Sequence, residues 1–219
     1  MLQRVFVDSN VLASRTLRDW LFLLRNETEG MYQLHASFDV VVEAYRVWRR
    51  LNPRASGREG QALFERITAN LDEMVGDFDG SIDFNGSDPG DVHVHAAAVA
   101  SGAHLLLTNN GRDFGDPDLL PFEIYTPDEF FCLIDDGGSQ CVQRVAVEQA
   151  KYWNGRRSTG QAVKTLDAAL LDAGCRQFAA RVTSHLMAAT NAARPRPTDR
   201  LPRTRRYPPT ERSPAYVVG

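Results

Sequence analysis

The sequence is poor in cysteine and has no paired cysteine motif. Its 219 residues include three cysteines, Cys132, Cys141 and Cys175, and none of them belongs to a CxxC. Because an odd number of thiols cannot all pair within one chain, we expect no complete disulfide framework. We interpret the three as reduced thiols of a cytoplasmic protein that mostly fill its core.

Long apolar segments are also missing. No apolar run approaches the roughly 18 residues that suggest a membrane-spanning helix. The first residues, MLQRVFVDSNVL, lack the basic start and the long apolar stretch of a signal peptide. We therefore expect a cytoplasmic protein that does not contact a membrane.

Lysine is scarce, since 23 of the 25 basic residues are arginine, although a GC-rich genome would produce the same bias. The distribution of charge is more informative. Residues 1–133 carry 11 arginines against 21 acidic residues, a net charge of −10, whereas residues 134–219 carry 14 basic and 7 acidic residues, a net charge of +7. The acidic part could include a metal site, and the basic part could bind a polyanion.

Short apolar runs alternate with helical patterns in the first part of the chain. RVFV and HLLLT have the composition of buried parallel strands, and FEIYT is a third apolar strand. The segments TLRDWLFLLRN, SFDVVVEAYRVWRRLNP and PGDVHVHAAAVASGA are typical of helices, and Ser37 is the expected N-cap of the second. This alternation predicts an α/β fold over residues 1–133, with a parallel sheet flanked by helices.

The rest of the chain has a different organisation. Asp135–Gly138 are an expected joint, residues 139–191 have helical patterns throughout, and Gly155 and Gly174 fall where helix C-caps are expected. Residues 194–219 contain six prolines and seven arginines among few apolar residues. We predict a small all-helical C-terminal region followed by a Pro/Arg-rich disordered tail.

Several polar side chains fall at the ends of the predicted elements. Asp8 ends the first strand, Asn110 and Asp113 follow the HLLLT strand, Asp91 lies in the first turn of a helix, and Glu43 lies inside another. The carboxyl ends of parallel strands form the ligand-binding edge of a sheet. Clustered carboxylates raise one another's pKa, and a hard cation such as Mg²⁺ relieves that repulsion. A metal site would therefore explain a charged Asp8 at the end of a buried strand.

These acids also have purely structural interpretations. Asp8 could cap the turn that follows it, and Asp113 could belong to a plain turn. Asp91 could be an ordinary first-turn acid, favoured by the helix dipole, with Asp88 as the N-cap.

The same holds for other residues of these helices. Glu43 could pair with Arg46 or Arg50 on its own helix. His93 and His95 could suggest a transition metal, but two residues apart on a helix they point to different faces. We therefore interpret them as surface or packing residues.

Four segments together resemble a PIN domain: VFVDSNVL, VVVEAYR, DPGDVHVHAAAVASGAHLLLTNNGRDF and TPDEF. The chain is most similar to the VapC-type ribonuclease toxins of bacterial toxin–antitoxin pairs, in the subgroup with an extra C-terminal helical region. The resemblance covers residues 3–133 and is most specific in the third segment. The C-terminal helices match more loosely, and the tail has no counterpart.

The resemblance implies roles for particular residues. It implies catalytic roles for Asp8, Glu43, Asp91 and Asp113, and it makes all of these except Glu43 metal ligands. The fourth acid of the family usually follows the strand threonine by two residues, where this chain has Asn110, so that Asp113 would supply the charge instead. Supporting polar roles fall on Asn10, Thr108 and Asn110.

The implied activity is Mg²⁺- or Mn²⁺-dependent hydrolysis of RNA to 5′-phosphate and 3′-hydroxyl ends. It implies the toxin of a type II toxin–antitoxin system, with an RNA substrate, tRNA among the candidates, and a cognate antitoxin protein. A homodimer is left open. For RNA binding we name Arg46 and the tail residues Arg203, Arg205 and Arg206, and we interpret the C-terminal helices as a surface for protein contacts.

Two other functions remain open at the level of sequence. A non-catalytic PIN-fold RNA-binding protein with a degenerate site would tolerate the change to Asn110. A haloacid-dehalogenase-like phosphatase also places an aspartate after its first strand. It needs a second aspartate where this chain has Asn10, and a suitably placed lysine, whereas the only lysines are Lys151 and Lys164.

Overall fold

The computed structural model describes residues 3–160 and 164–192. Its centre is a sheet of five parallel strands in the order β3-β2-β1-β4-β5, flanked by helices. The predicted α/β fold with a parallel sheet is therefore confirmed. The strands are β1 (Gln3–Val7), β2 (Tyr32–Ser37), β3 (Glu73–Val75), β4 (Leu105–Leu107) and β5 (Glu123–Tyr125). The helices are α1 (Ser9–Ala13), α2 (Arg15–Glu27), α3 (Phe38–Leu51), α4 (Gly57–Thr68), α5 (Val92–Ala100), α6 (Pro127–Ser158), α7 (Leu166–Asp172) and α8 (Arg176–Ala192). Short 3-10 turns cover Pro89–Asp91, Gly111–Phe114 and Pro117–Leu119.

The sequence patterns do not predict β2 and β3. β2 reads YQLHAS, in which Gln33, His35 and Ser37 interrupt any apolar run, and β3 has only three residues. His35 is nevertheless 2% exposed, because β2 lies between β1 and β3. Position within the sheet, rather than composition, makes this segment a strand.

β1 occupies the middle of the sheet. Val5, Phe6 and Val7 are fully buried, and β1 pairs with β2 on one side and with β4 on the other. Val7 lies opposite Leu107, so the carboxyl ends of β1 and β4 meet at the same edge. Polar residues that follow these two strands are therefore neighbours, as a shared site requires.

Two helices begin at this same edge. The Ser37 hydroxyl accepts a hydrogen bond of 3.3 Å from the Val40 amide, which confirms Ser37 as the N-cap of α3. Asp91 is the residue before α5, and Glu43 lies in the second turn of α3. Both acids are thereby brought towards the end of β1. α5 ends at Ala100, and Gly102, with a φ of 59°, turns the chain towards β4.

The C-terminal helices are continuous with the preceding fold. α6 runs through the predicted joint, where Gly138 departs from helical geometry with φ −149° and ψ 48°. The predicted C-cap at Gly155 is wrong, because α6 continues to Ser158. Gly174 does follow α7 directly after its C-cap residue, with a φ of 85°.

The same helices share their hydrophobic core with the sheet layer. Phe178 of α8 packs edge-on against Trp20 of α2, with ring centroids 5.0 Å apart, and against Phe131 of α6 at 5.1 Å. All three side chains are buried. The buried carboxylate of Asp135 on α6 also accepts a hydrogen bond of 3.1 Å from Arg181 of α8.

The three cysteines are unbridged, and Cys132 and Cys175 are buried. No helix among the described residues combines the length and the apolar character needed to cross a bilayer. The predicted tail, residues 194–219, lies outside the described residues, and Arg203, Arg205 and Arg206 lie outside with it.

Candidate active site

Asp8 lies at the junction of β1 and α1, with 2% of its surface exposed. Its backbone amide donates to the carbonyl of Leu107 at 3.0 Å, which extends the contact between β1 and β4. Its carboxylate accepts hydrogen bonds from the Ser9 amide at 2.5 Å and from the Thr108 hydroxyl at 2.6 Å. The Ser9 bond makes Asp8 the N-cap of α1, so the structural interpretation is correct. The Thr108 bond shows that the same carboxylate also reaches across to the end of β4.

Asn10, in the first turn of α1, connects the two strand ends. Its amide nitrogen donates to Asp8 at 2.6 Å and to the side-chain oxygen of Asn110 at 2.7 Å. Its side-chain oxygen accepts from the backbone amide of Asn109 at 3.1 Å. The buried Thr108 hydroxyl contacts both Asp8 and Asn110. The structure thus joins the three predicted supporting residues in one network, in which Asn10 serves as an amide donor and not as the acid that a dehalogenase-like phosphatase needs.

Asn110 extends this network to two more carboxylates. Its amide nitrogen donates to Asp113 at 3.0 Å and to Asp91 at 3.3 Å. The side-chain oxygen of Asn110 faces Asn10, so its nitrogen is directed at these two acids. Asp8, Asp91 and Asp113 therefore surround two linked side-chain amides.

Burial first, and the repulsion of neighbouring carboxylates second, raise the pKa values of Asp8 and Asp91. Burial raises the pKa of the Asp8 carboxyl, and hydrogen bonds from Thr108 and Ser9 partly offset that rise. Loss of hydration raises the pKa of Asp91, and four neighbouring carboxylates raise it further, to about 6. Those neighbours, in order of effect, are Asp8, Asp88, Asp113 and Glu43. A bound cation would relieve this repulsion.

Glu43 lies at the rim of this group and outside its hydrogen-bonded network. Its side chain is 49% exposed, and its carboxylate is 3.9 Å from Nε2 of His93. Nδ1 of His93 lies 2.8 Å from the carbonyl oxygen of Gly90, which fixes the ring beside the site. From sequence His93 is expected to be a surface or packing residue, although its place two residues after Asp91 was an available signal for a position beside the site. Among the described residues Glu43 forms an ion pair with neither Arg46 nor Arg50, the two partners considered from sequence, and its neighbour is the His93 ring.

The long loop between β3 and α5 also reaches the site, and the sequence patterns assign it no role. The Phe84 ring packs edge-on against the buried His95, with centroids 5.4 Å apart, which agrees with a packing role for that histidine. The Ser87 amide donates to the carbonyl of Asp113 at 2.8 Å. Gly86 makes this approach possible, because a Cβ there would lie 2.2 Å from the same carbonyl oxygen. The loop thus holds the turn that carries Asp113.

The chemistry of these groups fits a hard divalent cation, which prefers carboxylate and amide oxygens. Asp8 is hydrogen-bonded to the side-chain amide of Asn10, and Asp91 and Asp113 are hydrogen-bonded to that of Asn110. The three carboxylates are therefore linked through these amides and do not point at one common position. Across residues 3–160 and 164–192, no three Asp, Glu, His or Cys side chains converge as ligands of a single metal ion. For these carboxylates to bind one cation, the Asn110 amide would have to break its hydrogen bonds to Asp91 and Asp113.

Comparisons with known proteins identify no relative of this chain. No protein-family model matches it, no curated protein matches it, and no solved structure matches it.

Proposed function

We propose that this protein is a metal-dependent endoribonuclease of the PIN type that acts as the toxin of a toxin–antitoxin pair. The observation that carries the proposal is the grouping of Asp8, Asp91 and Asp113 around the linked amides of Asn10 and Asn110, at the carboxyl edge of the sheet. These are positions at which the resemblance to VapC-type toxins expects the site.

In this proposal Asp8, Asp91 and Asp113 hold Mg²⁺ or Mn²⁺, which when bound supplies charge stabilisation at the phosphoryl oxygen and a more acidic water. Asp8 is already oriented for this role by its hydrogen bond from the buried Thr108. Asp91 and Asp113 are kept at one side of the site by their shared contact with Asn110.

Glu43 has a different role, because it lies outside the hydrogen-bonded network and is half exposed. A carboxylate in that position can accept the proton of an attacking water without first giving up another bond. His93 limits the movement of Glu43 from one side, since Gly90 holds its ring in place. We regard His93 as a positioning residue.

The charge of the site agrees with a substrate that binds after the metal. Each phosphodiester is an anion, and four acids near Asp91 would repel it. Neutralisation of part of that charge lets RNA approach. The toxin role also implies two partners in the cytoplasm, a cognate antitoxin protein and RNA such as tRNA. The C-terminal helices would supply a surface for protein contacts, including those of a homodimer.

The direct test is to incubate the purified chain with RNA and Mg²⁺ and to sequence the new 5′-phosphate ends. We expect discrete ends that disappear in EDTA and in an Asp8→Asn variant. Ends that carry a 5′-hydroxyl, or cleavage that continues in EDTA, would overturn the assignment.

A non-catalytic RNA-binding protein is the second candidate. It is favoured by the amide of Asn110 at the place of an acid, and by the fact that no three ligands converge in the described part of the chain. Thermal unfolding with Mg²⁺ separates the two candidates. A rise in Tm for the wild type that is lost in Asp91→Asn supports the metal site, whereas equal Tm values with and without Mg²⁺ favour the second candidate.

A further inference from the structure

A groove on α3 begins at the rim of the candidate active site and leads away from it. Glu43 lies at one end of the groove, and the groove encloses about 490 Å³. Its lining combines one acid, one tyrosine and three arginines: Glu43, Tyr45, Arg46, Arg49 and Arg50. The wall is therefore strongly cationic although it adjoins an acidic site.

Helical geometry sets the order of charges along this groove. Glu43, Arg46 and Arg50 are three and four residues apart, so they lie on one face of α3. At about 1.5 Å per residue, Arg50 lies about 10 Å beyond Glu43 along the helix axis. The two arginines thus extend from the site in a line.

The third arginine of the groove has a structural role. The Arg49 guanidinium lies 5.0 Å from the centre of the Trp48 ring, and its Nη1 donates to the carbonyl of Ala55 at 2.6 Å. Arg46 and Arg50 differ from it: both are exposed, and neither has a hydrogen bond or an ion pair with any residue that the structure describes. Their charges are available to a ligand.

A second approach to the site, over the loop that contacts the turn of Asp113, is acidic. The loop between β3 and α5 carries four exposed aspartates, Asp77, Asp79, Asp83 and Asp88. A polyanion is repelled on that side and attracted on the side of Arg46 and Arg50. The electrostatic field around the site therefore favours a path along α3 for a negatively charged chain.

We propose that a single RNA strand bound at the candidate site continues along the α3 groove, where Arg46 and Arg50 bind successive phosphates beyond the one that is cleaved. The inference rests on the proposed ribonuclease function and adds two things to it. It makes Arg50 a substrate-binding residue together with Arg46, and it defines the side of the site on which the uncut part of the strand lies.

The experiment uses the full chain with Asp8→Asn, so that RNA is bound and not cut. Binding of a fluorescein-labelled single-stranded RNA is measured by anisotropy across a salt series, with and without the double change Arg46→Ala/Arg50→Ala. The matched control is Arg4→Ala/Arg66→Ala. It removes the same charge from two exposed arginines on β1 and in the last turn of α4. Arg46→Lys/Arg50→Lys tests whether charge alone restores binding.

The logarithm of the binding constant K falls linearly with the logarithm of the salt concentration. Loss of two phosphate contacts should make this fall less steep, by about 1.4 in slope. Between about 50 and 200 mM salt the affinity of the parent protein should then fall about sevenfold more than that of the alanine variant. The control pair should keep the parent slope, and the lysine pair should recover most of it. If the alanine pair and the control pair have the same slope, the groove does not hold RNA.

The outcome also separates this inference from the proposed function. If the wild type cleaves RNA and the alanine pair leaves the salt slope unchanged, the proposed RNA path along the groove is wrong and the proposed nuclease function stands. A reduced slope in a protein that does not cut RNA supports the groove and overturns the nuclease. A chain that does not bind the RNA at all overturns the groove.

Discussion

The side-chain amide of Asn10 donates a hydrogen bond of 2.7 Å to the amide oxygen of Asn110, one hundred positions further along the chain. This contact sets the orientation of the Asn110 side chain, whose nitrogen then faces Asp91 and Asp113. A neutral link thus occupies the centre of an acidic group.

Asp8→Asn should abolish Mg²⁺-dependent RNA cleavage and leave the fold intact. Its amide oxygen can still accept from the Ser9 amide, so the cap of α1 survives, but the charge for a cation is lost. Cleavage is followed by mapping of 5′-phosphate ends, and folding by circular dichroism. Asp77→Asn, a change at an exposed loop acid, is the matched control and should cut like the wild type. Near-normal cleavage by the Asp8 variant would remove Asp8 from the site.

Asp91→Asn should stabilise the metal-free protein at neutral pH. The folded state takes up a proton at Asp91 near pH 6, whereas the ordinary value of 3.8 applies to the unfolded chain. Between these values the folded state binds more protons, so stability falls as the pH rises and the full penalty is present above pH 6. Because the carboxylate is partly exposed, we expect a gain of about 1 kcal/mol, or about 2–4 °C in Tm.

The check on this prediction is a series of thermal unfolding curves from acidic to neutral pH. The difference in Tm between Asp91→Asn and the wild type should vanish below pH 3.8, the ordinary pKa of an aspartate, and should grow as the pH rises to about 6. Mg²⁺ should reduce the difference at neutral pH by stabilising the wild type. A difference that does not change with pH would show that repulsion at Asp91 is not its cause.

Asn110→Asp should increase the affinity for Mg²⁺ and lower the stability of the metal-free protein. The change replaces the donor that Asp91 and Asp113 share with a further negative charge, so repulsion grows until a cation binds. Calorimetric titration with Mg²⁺ and thermal unfolding in EDTA measure the two effects. Asn154→Asp, at an exposed position of α6 outside this network, is the control. Unchanged Mg²⁺ affinity in Asn110→Asp would place the cation away from this residue.

Gly86→Ala should reduce cleavage by displacing the turn that carries Asp113. A Cβ at this position would lie 2.1 Å from the Phe84 ring and 2.2 Å from the Asp113 carbonyl oxygen, so the loop must move. A displacement of about 1 Å at a catalytic group can cost about a hundredfold in rate. Gly80→Ala, where a Cβ meets nothing within 4 Å, is the control for the same loop. Equal cleavage by the two variants would mean that the loop does not position Asp113.

Phe178→Ala should destabilise the whole described fold by about 3–5 kcal/mol, as expected for a fully buried aromatic ring. Its contacts with Trp20 and Phe131 join α8 to α2 and α6, so unfolding should remain a single transition. Leu171→Ala, at a half-exposed position of α7, should cost much less. Two separate transitions in denaturant would indicate that the C-terminal helices fold independently of the sheet.

The fold class could be predicted from the sequence, and so could the acids that the structure groups at one edge of the sheet. The apolar runs of β1 and β4 are continuous because both faces of a parallel sheet are covered, and this pattern is visible without a structure. Asp8 stands out for the same reason, since a charge directly after such a run needs an explanation. Ser37 and Gly174 were recognisable because capping and positive φ each restrict the choice of residue.

The contacts between these residues could not be predicted from the sequence. β2 is a strand because of its neighbours and not because of its composition. The predicted joint is a kink in α6 at Gly138, and Phe178 of α8 packs against both α2 and α6. The direction of the Asn110 amide depends on Asn10, and the place of Asp113 depends on the loop that carries Gly86. Hydrogen bonds and close approaches of this kind join residues far apart in the chain, and no local pattern of residues encodes them.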